Sequence, residues 1–210
     1  MKKIIWPILI AIIYSSCNPV AKEPQKTATE ITLDSIKSEY KIAILDIDKE
    51  YHIVSNREIL NKLFAKNFYI LTRDNPAILK ELNTADNYFE IIYKKNDSVI
   101  KRSVKKLEKL QASGNESPLK VSTEIENSLF RLTMLKVKFF DSYLNSSAII
   151  NSVRNIIYLK INNKNDIKDG KIVFYNEKTL HDFNLKLNEI ENLKIKNNEI
   201  REEIMNLHLD

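Results

Sequence analysis

Glycine is nearly missing from this chain of 210 residues, which has only Gly114 and Gly170. A phosphate-cradling Walker loop, a dinucleotide-binding turn and a nucleophile elbow each need several glycines close together, so none can be written here. Sandwiches and barrels, which spend glycines on many tight turns, are also disfavoured against long helices. A single cysteine, Cys17, rules out any disulfide within the chain and any zinc site built from several thiolates. Histidine is almost as scarce. His52, His181 and His208 lie far apart, and none has a second histidine within a helical turn, so the common metal-ligand spacings are absent and no metal or cofactor is expected. Asp46 and Asp48 are neighbours in sequence but fall on different faces of a helix, which suits a solvated surface better than acid–base chemistry. The chain is expected not to be an enzyme.

What is present begins at the N-terminus. Lys2 and Lys3 precede an apolar run from Ile4 to Tyr14, and the small residues Ser15 and Ser16 stand directly before Cys17. The run is too short for a spanning helix, which needs about 20 apolar residues, and Pro7 weakens it further. An ordinary secretory leader shares the basic and apolar regions, but does not account for a lone cysteine at this place. The pattern resembles the signal peptide of a bacterial lipoprotein, with Tyr14 where the usual motif has an aliphatic residue. The resemblance implies cleavage between Ser16 and Cys17, diacylglycerol on the Cys17 thiol and acylation of the new amino terminus. Residues 1–16 are then signal peptide, and the charge falls from +5 to +3 with the loss of Lys2 and Lys3.

Residues 17–31 hold two prolines and little apolar surface, and are expected to form a lipidated flexible tether. A flexible chain of this length reaches on the order of 20 Å. Residues 32–210 are expected to form a single helical domain. Leu33, Ile36, Tyr40, Ile44 and Ile47 step by three or four. Ser55 and Glu58 form a capping box before a second stripe through Phe68 and Leu71. Pro76 suits the start of another helix, whose phase slips at Lys94 to Ser98, either as a stutter or as the join of two helices. Gly114 suits a helix end and Ser117-Pro118 a fresh start. Asn145-Ser146-Ser147 predicts a further break, and Asn162 to Gly170 a loop. Lys171 to Tyr175 reads as a possible strand with partners only at 52–54 or 68–71, so the helical reading carries more weight. Glu177 to Leu207 is a long amphipathic helix whose stripe is interrupted at Asn197. The expectation is an all-α bundle of five to seven helices, acting as a monomer.

Charge is concentrated in one place. Lys94, Lys95, Lys101, Arg102, Lys105, Lys106 and Lys109 face only Asp97 and Glu108, a local excess of +5. On a helix, Lys101, Lys105 and Lys109 share a face, with Arg102 and Lys106 beside it. Such a stripe suits glycosaminoglycans or other polyanions, and suits equally well a solvated helix surface. Nucleic acid is not expected as a partner. The aromatic groups at 64–69, 88–93 and 139–143 fall mainly on buried stripes. Asn96, Asn115 and Asn145 open Asn-x-Ser sequons, which an Asn-rich chain produces by chance.

The loose lipobox, the tether, the scarcity of glycine and the Lys/Asn/Ile/Glu-rich helical body together resemble the outer-surface lipoproteins of Borrelia-type spirochaetes. This likeness implies an outer-membrane, surface-exposed protein, held by lipid, that binds a host protein or polyanion. The alternative is a periplasm-facing lipoprotein that scaffolds envelope assembly. The lipid anchor makes a direct prediction. The wild-type protein should partition into the detergent phase, whereas Cys17→Ala should lose lipidation and normal processing and move to the aqueous phase, as read by phase separation and mass spectrometry. A variant that still matured at residue 17 and stayed as firmly bound would contradict the lipoprotein reading.

Overall fold

The computed structural model describes residues 26–52, 77–113, 119–169 and 171–208. Four helices and one β-hairpin make up the described residues: α1 (Ala28–His52), α2 (Ala77–Ser113), α3 (Leu119–Asn162), β1 (Asn165–Lys168), β2 (Lys171–Phe174) and α4 (Glu177–Leu207). The all-α expectation holds, and four helices, not the expected five to seven, lie among the described residues. The capping box at Ser55 and Glu58, Gly114 and Ser117-Pro118 lie outside the described residues. No described helix is long and apolar enough to cross a membrane.

Local chemistry sets the ends. At the start of α1 the Thr27 amide donates to the Glu30 carboxylate at 2.7 Å while the Glu30 amide donates to the Thr27 hydroxyl at 3.2 Å, a reciprocal capping box. Asn176 caps α4 by accepting from the Thr179 amide at 3.1 Å. Between α3 and α4 the chain turns through β1 and β2, which pair antiparallel from Asn165 opposite Phe174 to Lys168 opposite Lys171. Asp169 takes the left-handed conformation (φ 50°) that a two-residue hairpin turn needs, and Asp-Gly is the sequence suited to it. The strand at 171–174 therefore exists. Its partner lies inside the segment expected to be a loop, because residues 165–168 are too polar to read as a strand.

Length is the second feature. Helix α3 has 44 residues, roughly 66 Å at 1.5 Å per residue. It lies antiparallel to α2 and α4 along two successive cores. In the first, Leu33, Ile36 and Tyr40 of α1 pack with Ile100 and Leu107 of α2, Ile125 and Leu132 of α3, and Ile200 and Ile204 of α4. In the second, Ile78 and Leu82 of α2 pack with Ile150 and Ile156 of α3, Ile172 and Phe174 of β2, and Phe183 and Ile190 of α4. The hairpin thus closes one end of the bundle, and α1 fills the other.

Between the two cores lies a polar waist. Asn96 on α2 and Asn145 and Ser146 on α3 are buried, and the Ser142 hydroxyl donates to Asn197 of α4 at 3.2 Å. The expected break at Asn145 to Ser147 does not occur, and the slip at Lys94 to Ser98 is a stutter within one helix. Asn96 occupies the inward position between Phe89 and Ile100, and Asn145-Ser146 that between Leu135 and Ile149, so α2 and α3 continue while their core-facing stripes turn polar for one layer. Burial of Asn96 and Asn145 also removes both from any role as glycan acceptors; Asn115 lies outside the described residues.

Two neighbouring positions on α3 test the assignment of faces. Leu132 is fully buried and Phe130 is 64 % exposed. Leu132→Ala should destabilise the domain by about 2–5 kcal/mol, and Phe130→Ala should stay within about 0.5 kcal/mol, both measured by urea unfolding followed by circular dichroism.

Candidate functional site

Helix α2 carries the basic cluster without interruption, so the backbone itself fixes how its side chains divide. Lys101, Lys105 and Lys109 follow one another at single turns on an exposed face. Arg102 and Lys106 turn toward α1, where they line a narrow cleft with Ile36, Glu39 and Tyr40. The seven cations therefore do not form one sheet of charge; they form an outward row and an α1-facing row.

Pairing differs between the rows. Lys94 bonds Glu90 at 2.5 Å and Lys101 bonds Asp97 at 2.6 Å, both one helical turn back. Those bonds hold both ammonium groups above their ordinary range, so each is charged at neutral pH. Asp97 is itself largely buried, and its second carboxylate oxygen, Oδ1, has no hydrogen-bond partner among the described residues. Lys105 and Lys109 have no ion-pair partner among the described residues, and both are exposed. In the inner row, Lys106 bonds Glu39 across the α1–α2 interface. Lys95 is half-buried. The outward face that remains for a ligand is Lys94, Lys101, Lys105 and Lys109.

The histidines have a structural explanation in one case. Tyr40 places its hydroxyl 3.0 Å from His208 Nδ1, and Arg131 donates to the His208 carbonyl at 3.4 Å. Burial pushes the Tyr40 phenol above its ordinary range, so it stays protonated. This clasp joins residues 168 positions apart, and no local spacing could have announced it. His181 is exposed on α4. Among the described residues no group of three or more His, Cys, Asp or Glu is placed to hold a metal ion. Asp46 is exposed and lies 3.8 Å from Lys49, a weak surface pair; the Asp48 side chain lies outside the described residues.

Sequence reading also missed an open groove of about 680 Å³ between α3 and α4. Asn155, Tyr158, Asn163, Asp182 and Leu185 line it, together with Lys186, which bonds Glu189 at 2.6 Å. The Lys186 bond holds the Glu189 carboxyl below its ordinary range. These residues come from two helices separated by the hairpin, so only tertiary structure collects them. The aromatic groups divide likewise. Tyr93 stacks on Tyr143 at 5.2 Å, while Phe140 beside them remains 42 % exposed.

Cys17 and Ser16 lie outside the described residues. Comparison with protein-family models, curated proteins and solved structures finds no match to this chain.

The α1–α2 tie gives a pH prediction. The Lys106 bond holds the Glu39 carboxyl below its ordinary range, with Arg102 adding to the effect. A carboxyl depressed in the folded state contributes stability above its unfolded value, and that contribution is lost as pH falls through the folded value. The Glu39 carboxyl should therefore titrate below the ordinary carboxylate range by NMR, and return to that range in Lys106→Met. A Glu39 midpoint unchanged by that substitution would show that the pair does not form in solution.

Proposed function

We propose that this chain is a lipid-anchored, non-enzymatic binding protein of the outer membrane, displayed on the cell surface, whose helical body contacts a host protein or polyanion. The observation that carries this reading is the outward row on α2. Its lysines stand on a rigid helix, and two of them, Lys105 and Lys109, carry charge that no described acidic group neutralises. The lipoprotein-like N-terminus, with Cys17 as the attachment point, supports the location. The body is held by packing of two apolar cores, which suits a protein that works outside the cytoplasm without disulfides.

A row of lysines engages sulfated chains largely by displacing their counterions, so affinity falls steeply as salt rises. Wild-type protein should be retained on heparin at low salt and released as salt increases. Lys101→Glu, Lys105→Glu and Lys109→Glu together should abolish retention while leaving the helical circular dichroism unchanged. No retention at low salt, or equal retention in the triple variant, would remove the polyanion from this reading. Display is checked separately: external protease should cleave the domain on intact cells, and full protection would place it facing the periplasm.

A further inference from the structure

A second row runs beside the basic one. Phe130, Val137 and Leu144 recur every seven residues on the side of α3 turned away from both cores, and they are 64 %, 49 % and 47 % exposed. Seven residues are two helical turns, so these side chains stand in line at intervals of roughly 10.5 Å. On α2, Lys94 and Lys101 have the same seven-residue spacing, and Lys105 follows one turn later.

The packing of α2 on α3 brings the rows together. Asp86 accepts from Ser147 at 3.0 Å, Asn83 accepts from Arg154 at 3.0 Å, and Tyr93 stacks on Tyr143. Running antiparallel in this register, the helices place Lys105 level with Phe130 and Lys94 near the level of Leu144. Phe140, whose ring lies 5.5 Å from that of Tyr93, bridges the two helices at the surface.

We infer that the face formed by Phe130, Val137 and Leu144 with Lys94, Lys101 and Lys105 docks an acidic amphipathic helix of a partner protein. A partner helix with apolar residues at the first heptad position would meet the α3 row at its own repeat, and acidic residues flanking that stripe would meet the lysines. An extended peptide repeats every second residue at about 6.6 Å and would fall out of step. A free polyanion has no use for the apolar row. A second copy presenting the same face would bring like charges together. The exposed bond from Lys94 to Glu90 is weak and can yield to a new acidic partner, while Lys101 can keep Asp97 and turn its remaining N–H donors outward.

This inference rests on the binding-protein reading and names the class of partner for the same side of the molecule. The probe is a synthetic three-heptad helix with leucine at its core positions and glutamate on both flanks, and a twin carrying lysine in place of glutamate. Fluorescence anisotropy with the full chain in detergent should show the acidic peptide binding at least roughly tenfold more tightly than its twin. Val137→Ser with Leu144→Ser should lower that affinity by about tenfold or more and leave heparin retention unchanged. Lys94→Glu with Lys101→Glu should reverse the preference toward the lysine twin. Failure of both peptides to bind, or equal binding of the two, overturns the inference. A concentration-dependent dimer abolished by Val137→Glu would assign the face to a second copy, and peptide-independent binding to phosphatidylglycerol vesicles lost in Val137→Ser with Leu144→Ser would assign it to lipid; either overturns it. Peptide failure with heparin retention intact removes this inference alone, whereas loss of heparin retention with peptide binding intact removes only the polyanion.

Discussion

Long helices lying side by side are free to slide, and the polar waist is what stops these. Apolar cores alone specify axial register weakly, because one turn of displacement exchanges isoleucine for isoleucine. Asn96 on α2 and Asn145 on α3 are buried and Asn197 on α4 accepts from Ser142, so sliding α2, α3 or α4 along the bundle carries an amide away from the polar stretch and toward hydrocarbon. A buried polar group that loses its partner costs about 1–3 kcal/mol, a large fraction of the stability of an ordinary domain. Buried asparagines fix register in coiled coils by the same means. The levels at which the outward rows of α2 and α3 face one another depend on that register. The layer is not fully satisfied, for Asn145 Nδ2 has no hydrogen-bond partner among the described residues. Specificity here comes at some cost in stability.

The waist also explains where the sequence misleads. Three irregularities in the apolar pattern, at Lys94 to Ser98, at Asn145 to Ser147 and at Asn197, look like three local events when the chain is read in one dimension. Folding places all three in the stretch between the two cores, where they form one polar part of the interior. Periodicity was otherwise a good guide. Leu33, Ile36, Tyr40, Ile44 and Ile47 all face the first core, as their spacing requires. The hairpin was only half legible. Lys171 to Tyr175 could be read as a strand, but with partners only at 52–54 or 68–71, because Asn165 to Lys168 carry their pairing in the backbone and not in their side chains. The basic row was visible from composition, while its division into outward and α1-facing halves depends on where α1 packs. The Tyr40 clasp and the groove beside Tyr158 depend on contacts between distant segments, which no local pattern encodes.

A bundle of this form separates stability from recognition. Both cores lie on the inward sides of α2, α3 and α4, and the residues on the outward sides contribute little to holding the helices together. Helix α3 shows the separation most clearly, with Leu132 and Leu135 fully enclosed and Val137 half in solvent. Outward positions on such a scaffold can change with little consequence for the fold. A surface-displayed protein of the kind proposed would find that latitude useful, because its contact face could be altered without rebuilding its interior.

Helix α1 bears on mechanics. It enters the bundle beside the end of α2 and runs back toward the waist, held along its length by Leu33, Ile36, Tyr40 and Ile44, by Lys106 on Glu39, and by Lys37 on Glu124 at 2.6 Å. A pull on its N-terminal end, directed along the bundle axis and away from the domain, would load all of these contacts at once, in shear. They could not be peeled apart one after another. Tension at that end is therefore shared across the whole interface, and the domain resists extraction far better in that direction than it would if α1 lay crosswise.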